Sequence, residues 1–125
     1  MRRALSLFIM VACLTAAPRA WAQHKAAADV LFREGKLLME AGETEAACRK
    51  FEGSLKLMKQ LGVLLNLAVC YEGIGRLSAA YAVFRATEIA AKEAGDKRAG
   101  YARERGAEVE ARMSTITISL SPKPA

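Results

Sequence analysis

The chain has 125 residues, 53% of them hydrophobic, a formal net charge of +6 and one histidine. A chain this long holds one small domain. The single imidazole, His24, lies ahead of the helical core expected below, which leaves no paired-histidine metal site and no histidine-based triad to assemble. The positive charge is interleaved with glutamates instead of forming a dense basic stripe, which excludes the nucleic-acid-binding class.

Residues 1–22 read as a secretory signal peptide. Arg2 and Arg3 precede an apolar run over 4–14, and Ala20-Trp21-Ala22 supplies a small-x-small cleavage site. The run is shorter than the roughly 20 residues that cross a bilayer, so no membrane span is expected after cleavage. Met10-Val11-Ala12-Cys13 offers a second reading, a lipoprotein signal in which Cys13 is acylated and anchors the protein. Cleavage after Ala22 removes Arg2, Arg3 and Arg19 and lowers the formal charge from +6 to +3.

From residue 23 to 113 the apolar pattern is helical. Val30, Leu31, Leu37, Leu38 and Ala41 predict a helix over 26–41, closed by Gly42, which can take the left-handed conformation. Ala46, Ala47, Phe51, Leu55 and Met58 predict a second over 43–58. Leu64, Leu65, Leu67, Ala68 and Tyr71 predict a third, broken at Gly75, and Ala80, Tyr81, Phe84 and Ile89 a fourth that ends at Gly95. Asp96 is a suitable N-cap for a fifth helix over about 97–112, with Tyr101, Ala102 and Val109 as its apolar positions among many charges. After Met113 the period changes to two: Ile116, Ile118 and Leu120 alternate with Thr115, Thr117, Ser119 and Ser121. The expectation for 114–125 is a short β-strand that needs a partner, followed by a tail stopped by Pro122 and Pro124.

If Cys13 leaves with the signal, Cys48 and Cys70 remain. An even count in an oxidising compartment favours a disulfide; the competing reading is two buried thiols acting as small apolar residues.

The helices repeat at a fixed interval. Gly35, Leu38, Gly42, Ala47 and Phe51 recur as Ala68, Tyr71, Gly75, Ala80 and Phe84, with the same offset in every case. An offset of about 33 residues is the period of a stacked array of helical hairpins. With Leu67, these residues resemble the tetratricopeptide repeat consensus, with repeats over about 28–60 and 61–94 and a capping helix with a polar outer face. The stretches AACRKFEGSLKLM, LGVLLNLAVCYEGIGRLSAAYAVF and ARERGAEVEARMSTITISL are similar to exported bacterial tetratricopeptide proteins that often continue into a small PEGA-like or carrier β domain.

The resemblance implies an all-α fold in which the first helix of each repeat lines a concave groove. The repeat register then places Phe32, Arg33, Lys36 and Met39 beside Leu65, Asn66, Val69 and Glu72, with Arg103 added from the fifth helix. An apolar floor with a cationic rim suits a peptide or protein segment, and Asn66 stands where such proteins carry a backbone clamp. Phe32, Lys36 and Gly100 depart from the clamp of chaperone-tail binders, so a double-carboxylate tail is not the expected ligand. The competing reading of Phe32, Leu65 and Val69 is core or inter-repeat packing. In such a stack Cys48 and Cys70 lie on facing helices, and a bridge would stabilise the unit by roughly 3 kcal/mol.

Catalysis is not expected. Glu40, Glu43, Glu45 and Glu52 read as solvated helix-surface carboxylates, and Gly73-Ile74-Gly75 follows a helix and so is a terminus and not a phosphate loop. No cofactor is implied. The expected function is a non-catalytic scaffold in the periplasm or at the cell surface that binds a protein or peptide in its groove. The alternative is an envelope assembly role through β-addition of the C-terminal strand.

Overall fold

The structure, a computed structural model, describes residues 17–120, with side chains from Arg19 to Thr115. Arg2, Arg3, the apolar run over 4–14 and Cys13 lie outside the described residues, as do Ser121, Pro122 and Pro124. Five helices account for the described chain: α1 (Ala17–Glu40), α2 (Thr44–Leu57), α3 (Leu61–Gly73), α4 (Leu77–Glu93) and α5 (Arg98–Leu120).

The connections after α1 and α3 are copies of each other. Gly42 and Gly75 have φ of 78° and 77°, a conformation in which a Cβ would strain against the backbone. After α1, the Glu43 N–H reaches back to the Leu38 carbonyl (2.9 Å) and the Gly42 N–H to Met39 (3.1 Å). After α3, the Arg76 N–H reaches Tyr71 (2.9 Å) and the Gly75 N–H reaches Glu72 (3.1 Å). Each pair of bonds satisfies carbonyls that a helix end leaves unpaired and reverses the chain sharply. Gly95 closes α4 with the same two bonds. Asp96 then opens α5, its carboxylate accepting from the Arg98 N–H at 2.9 Å, as an N-cap should.

Consecutive helices pack on one another, and the contacts fix their directions. Going down α1, Gly35 meets Phe51, Leu31 meets Gly53, and the Ala28 carbonyl accepts from the Ser54 hydroxyl at 2.8 Å. The register falls along α1 as it rises along α2, so the two are antiparallel. In α5 and α4 the partners are Met113 with Ser78 and Gly106 with Phe84, again antiparallel. Phe51 and Phe84, one repeat apart, are the largest fully buried side chains. Small residues admit them: Ala47 and Ala80 are buried beside them in the core, and a Cβ on Gly35 would stand 2.5 Å from the Phe51 ring.

Cys48 and Cys70 form a disulfide between α2 and α3, with Cα atoms 5.6 Å apart. Of the four consecutive helix pairs this one has the least contact, so the covalent bond reinforces the junction that packing holds least.

The predicted strand over 115–121 is not formed: α5 continues through Leu120, and no strand occurs among the described residues. The physical reason is local. A helix already nucleated gains one backbone hydrogen bond for each residue added, whereas a lone strand leaves its N–H and C=O groups unpaired. The hydroxyls of Ser114 and Thr115 bond to the carbonyls of Glu110 (3.1 Å) and Ala111 (3.0 Å) one turn back, which accommodates them on the helix.

Candidate partner-binding face

The helices α1, α3 and α5 lie side by side. Gln60, just before α3, donates to the Asp29 carboxylate of α1 at 3.2 Å. Gly62 near the start of α3 adjoins Arg98 at the start of α5, and Glu72 near its end is bonded to Arg105 and Arg112. The order of contacts rises along both helices, so α3 and α5 are parallel.

Between α3 and α5 lies a cleft of ≈ 220 Å³ lined by Leu65, Asn66, Val69 and Tyr101. Leu65 and Val69 form its apolar side and pack from below on the core. The Asn66 side-chain NH₂ donates to the Gly62 carbonyl at 2.7 Å. A carbonyl only accepts, so the amide's orientation is fixed, and Oδ1 is the end that the helix backbone does not engage. Tyr101 is 47% exposed. Sequence periodicity marks it only as an apolar position of the fifth helix; its register, one repeat after Ala68, makes it a side chain that would face a following helix.

The remaining predicted groove residues divide. Arg33 and Lys36 are exposed on α1 and, with Leu37 and Glu40, border a cleft of ≈ 230 Å³. Phe32 and Met39 are half-buried against the core. The Phe32 ring centroid lies 5.9 Å from that of Phe51, and the Lys36 ammonium sits 5.8 Å from the Phe32 centroid, a weak cation–π contact.

Glu72 is already engaged. Both its oxygens accept from the Arg105 guanidinium (2.7 and 2.6 Å), and Arg112 adds a third bond at 2.7 Å. The carboxylate is 13% exposed, so it ties α3 to α5. The bonds from Glu72 raise the pKa of Arg105 above its ordinary value. Arg105 also pairs with Glu108, while its Nε is buried with no partner among the described atoms. Arg103, predicted for the groove, is exposed, and its charge acts on Glu88 of α4. The residue that meets Glu72 is Arg105, one repeat later, and the repeat period itself is the signal for it.

Glu88 is the buried carboxylate among the described residues, held by Lys92 at 2.5 Å and Arg85 at 2.6 Å. The Lys92 bond, more than any other influence, holds its pKa below the usual carboxylate value. Both cations lie on its own helix, so the cluster is a structural ion pair set. Glu52, expected from sequence to be solvated, accepts from the Tyr71 hydroxyl at 2.6 Å, and Arg76 stacks 4.5 Å from the Tyr71 ring centroid. Among the described residues no group of three or more His, Cys, Asp or Glu side chains could hold a metal ion, and no helix is long and apolar enough to cross a membrane.

Comparison with protein-family models, with curated proteins and with solved structures gave no match.

Proposed function

We propose that this chain is an exported tetratricopeptide-type scaffold without catalytic activity, two helical hairpins and a capping helix that bind a segment of a partner protein across α1, α3 and α5. The cleft at Leu65, Asn66, Val69 and Tyr101 carries this reading. At ≈ 220 Å³ it is smaller than the roughly 300 Å³ at which small-molecule pockets begin, and is the right size for one apolar side chain of a peptide. The Asn66 carbonyl beside it is an acceptor suited to a peptide N–H. Arg33 and Lys36 supply a cationic rim on α1. The scaffold is held by its own hydrogen bonds and disulfide, so the ordering cost of binding falls on the ligand alone.

Two observations support export. The Cys48–Cys70 bond belongs to an oxidising compartment. Side chains from Arg19 to Ala27 are exposed and Ala28 is the first buried one among the described residues, so a cut after Ala22 would take nothing from the core.

The test is in-cell photocrosslinking from a probe at Asn66, with a control probe at Ile89 on α4, which is 53% exposed. A discrete adduct captured from Asn66 and not from Ile89 is the expected result. Equal capture from both positions, or none from Asn66, refutes the groove as the working surface.

A further inference from the structure

The two hairpins are equivalent in sequence but their first helices are not equally covered. Val63, Leu67 and Cys70 of α3 are buried on the side that meets α2. Their counterparts one repeat earlier are Val30, Glu34 and Leu37 on α1, which has no preceding helix to meet among the described residues. Val30 is 44% exposed and Leu37 64% exposed. Ala26, Ala27 and Ala41 share their stripe at helical spacing and are also exposed. At the opposite end, the positions of α5 that would face a further helix are Lys97, Tyr101, Glu104 and Glu108, all exposed and mostly charged. Among the described residues, one end of the stack is closed by polar side chains and the other is an uncovered apolar edge.

We propose that this edge is a self-association surface, at which two copies of the chain pair about a two-fold axis through the α1 stripe. Head-to-tail stacking is blocked because it would set the apolar edge of one copy on the polar cap of the next. Edge-to-edge pairing meets no such obstacle. The centre of the edge also carries its own complement. Glu34, which replaces the apolar Leu67 of the second hairpin, is paired across to Lys50 of α2 at 2.7 Å. With the two-fold axis lying in the interface, perpendicular to the Glu34–Lys50 line and passing opposite its midpoint, the pair meets its image head to tail, so Glu34 faces the second Lys50 and Lys50 the second Glu34. The charges then alternate in a ring. Next to it, Leu37 projects beside a cleft of ≈ 320 Å³ lined by Glu34, Leu37, Leu38 and Lys50, giving each copy both an apolar side chain to insert and a place to receive one. The stripe from Ala26 to Ala41 is about 24 Å long at about 1.5 Å per residue. A strip of that length buries less than the roughly 1,600 Å² of a standard interface, so the dimer is weak and concentration-dependent.

Sedimentation equilibrium of the purified protein, with its disulfide intact, up to about 200 µM tests this. A monomer–dimer equilibrium is expected, with Leu37→Glu raising the dissociation constant about tenfold or more. Glu34→Lys alone and Lys50→Glu alone place like charges together and weaken association by about tenfold. The double reversal, Glu34→Lys with Lys50→Glu, rebuilds the alternating ring and restores the parent constant to within about threefold. All three positions lie at the surface, and circular dichroism confirms that each variant is folded. A monomer throughout the concentration range overturns the proposal and leaves the edge to a different protein. Association indifferent to Leu37→Glu, or a double reversal no better than the single ones, also overturns it.

Discussion

Gly35 is the position where the packing can be challenged with one carbon atom. Alanine in the interior of a helix is favoured over glycine by about 1 kcal/mol, so on propensity alone Gly35→Ala stabilises α1. The Cβ would lie 2.5 Å from Cε1 and 2.8 Å from Cδ1 of Phe51, closer than any relaxed carbon contact. The ring cannot retreat easily, because it is fully buried and stands against Phe32 at 5.9 Å. Overpacking costs about 1–3 kcal/mol, and a fully enclosed ring places this case at the upper end. The net expectation is a loss of about 1–2 kcal/mol once the propensity gain is set against it. Gly100 provides the control, since a Cβ there meets nothing within 4 Å. Gly100→Ala lies in the first turn of α5 and gains about 0.5 kcal/mol. Thermal and urea unfolding followed by circular dichroism separate the two, each kcal/mol corresponding to about 4–8 °C in Tm for a domain of this size. A Gly35→Ala variant as stable as the parent would show that the Gly35–Phe51 contact does not constrain the packing of α1 on α2.

Replacing both cysteines, Cys48→Ala with Cys70→Ala, removes a cross-link across 22 residues and should cost about 3 kcal/mol; a loss below about 1 kcal/mol by urea unfolding refutes the staple. Asp96 is held at a pKa of about 2 against its ordinary 3.8, first by the Arg98 side chain and then by the Arg98 N–H. A lowered carboxylate stabilises the fold above its unfolded pKa and loses that contribution as pH falls from about 4 towards 2. The stability gap between the parent and Asp96→Asn should therefore narrow over that window, and a gap independent of pH refutes the assignment. Tyr71 titrates above its ordinary 10.0, because of burial first and the bond to Glu52 second. Its neutral phenol favours the fold below about pH 10, a contribution lost as pH rises through the folded value. Ultraviolet titration of Glu52→Gln should show a midpoint lower than the parent's yet still above the ordinary value, and an unchanged midpoint refutes the Glu52 contribution.

The helices and their turns are legible in the sequence because their causes are local. Gly42 and Gly75 have to be glycine for the left-handed turns they make, and the one-repeat spacing of Phe51 and Phe84 predicts that both are buried. The pairing of Cys48 with Cys70 follows from a repeat register that sets them on neighbouring helices. The C-terminal alternation over 115–121 misleads because period two records only where apolar side chains fall; it does not weigh the low cost of extending an existing helix. The candidate face is harder to read. Phe32 and Met39 belong to the core as much as to the surface, a division that follows from how far α1 is rotated on α2. Glu72 looks available for a partner in the sequence because a carboxylate on one helix does not reveal the arginines opposite it. Arg105 is accessible from the repeat interval, one repeat after Glu72, whereas Arg103, the residue expected from the fifth helix, stands one repeat after Cys70.

The disulfide also gives the molecule a record of its own assembly. Cys48 lies on α2 and Cys70 on α3, and their backbones come within bonding reach when α3 is seated on α2. Docking of α3 on α2 holds each thiol at the other, so oxidation is favoured once the halves have met in register, and the sulfurs, buried thereafter, keep the bond when the helices later breathe. In cells the rate at which free thiol disappears from newly made chains, compared with that of a variant in which α3 cannot seat on α2, would report the docking of the two halves separately from the formation of their helices.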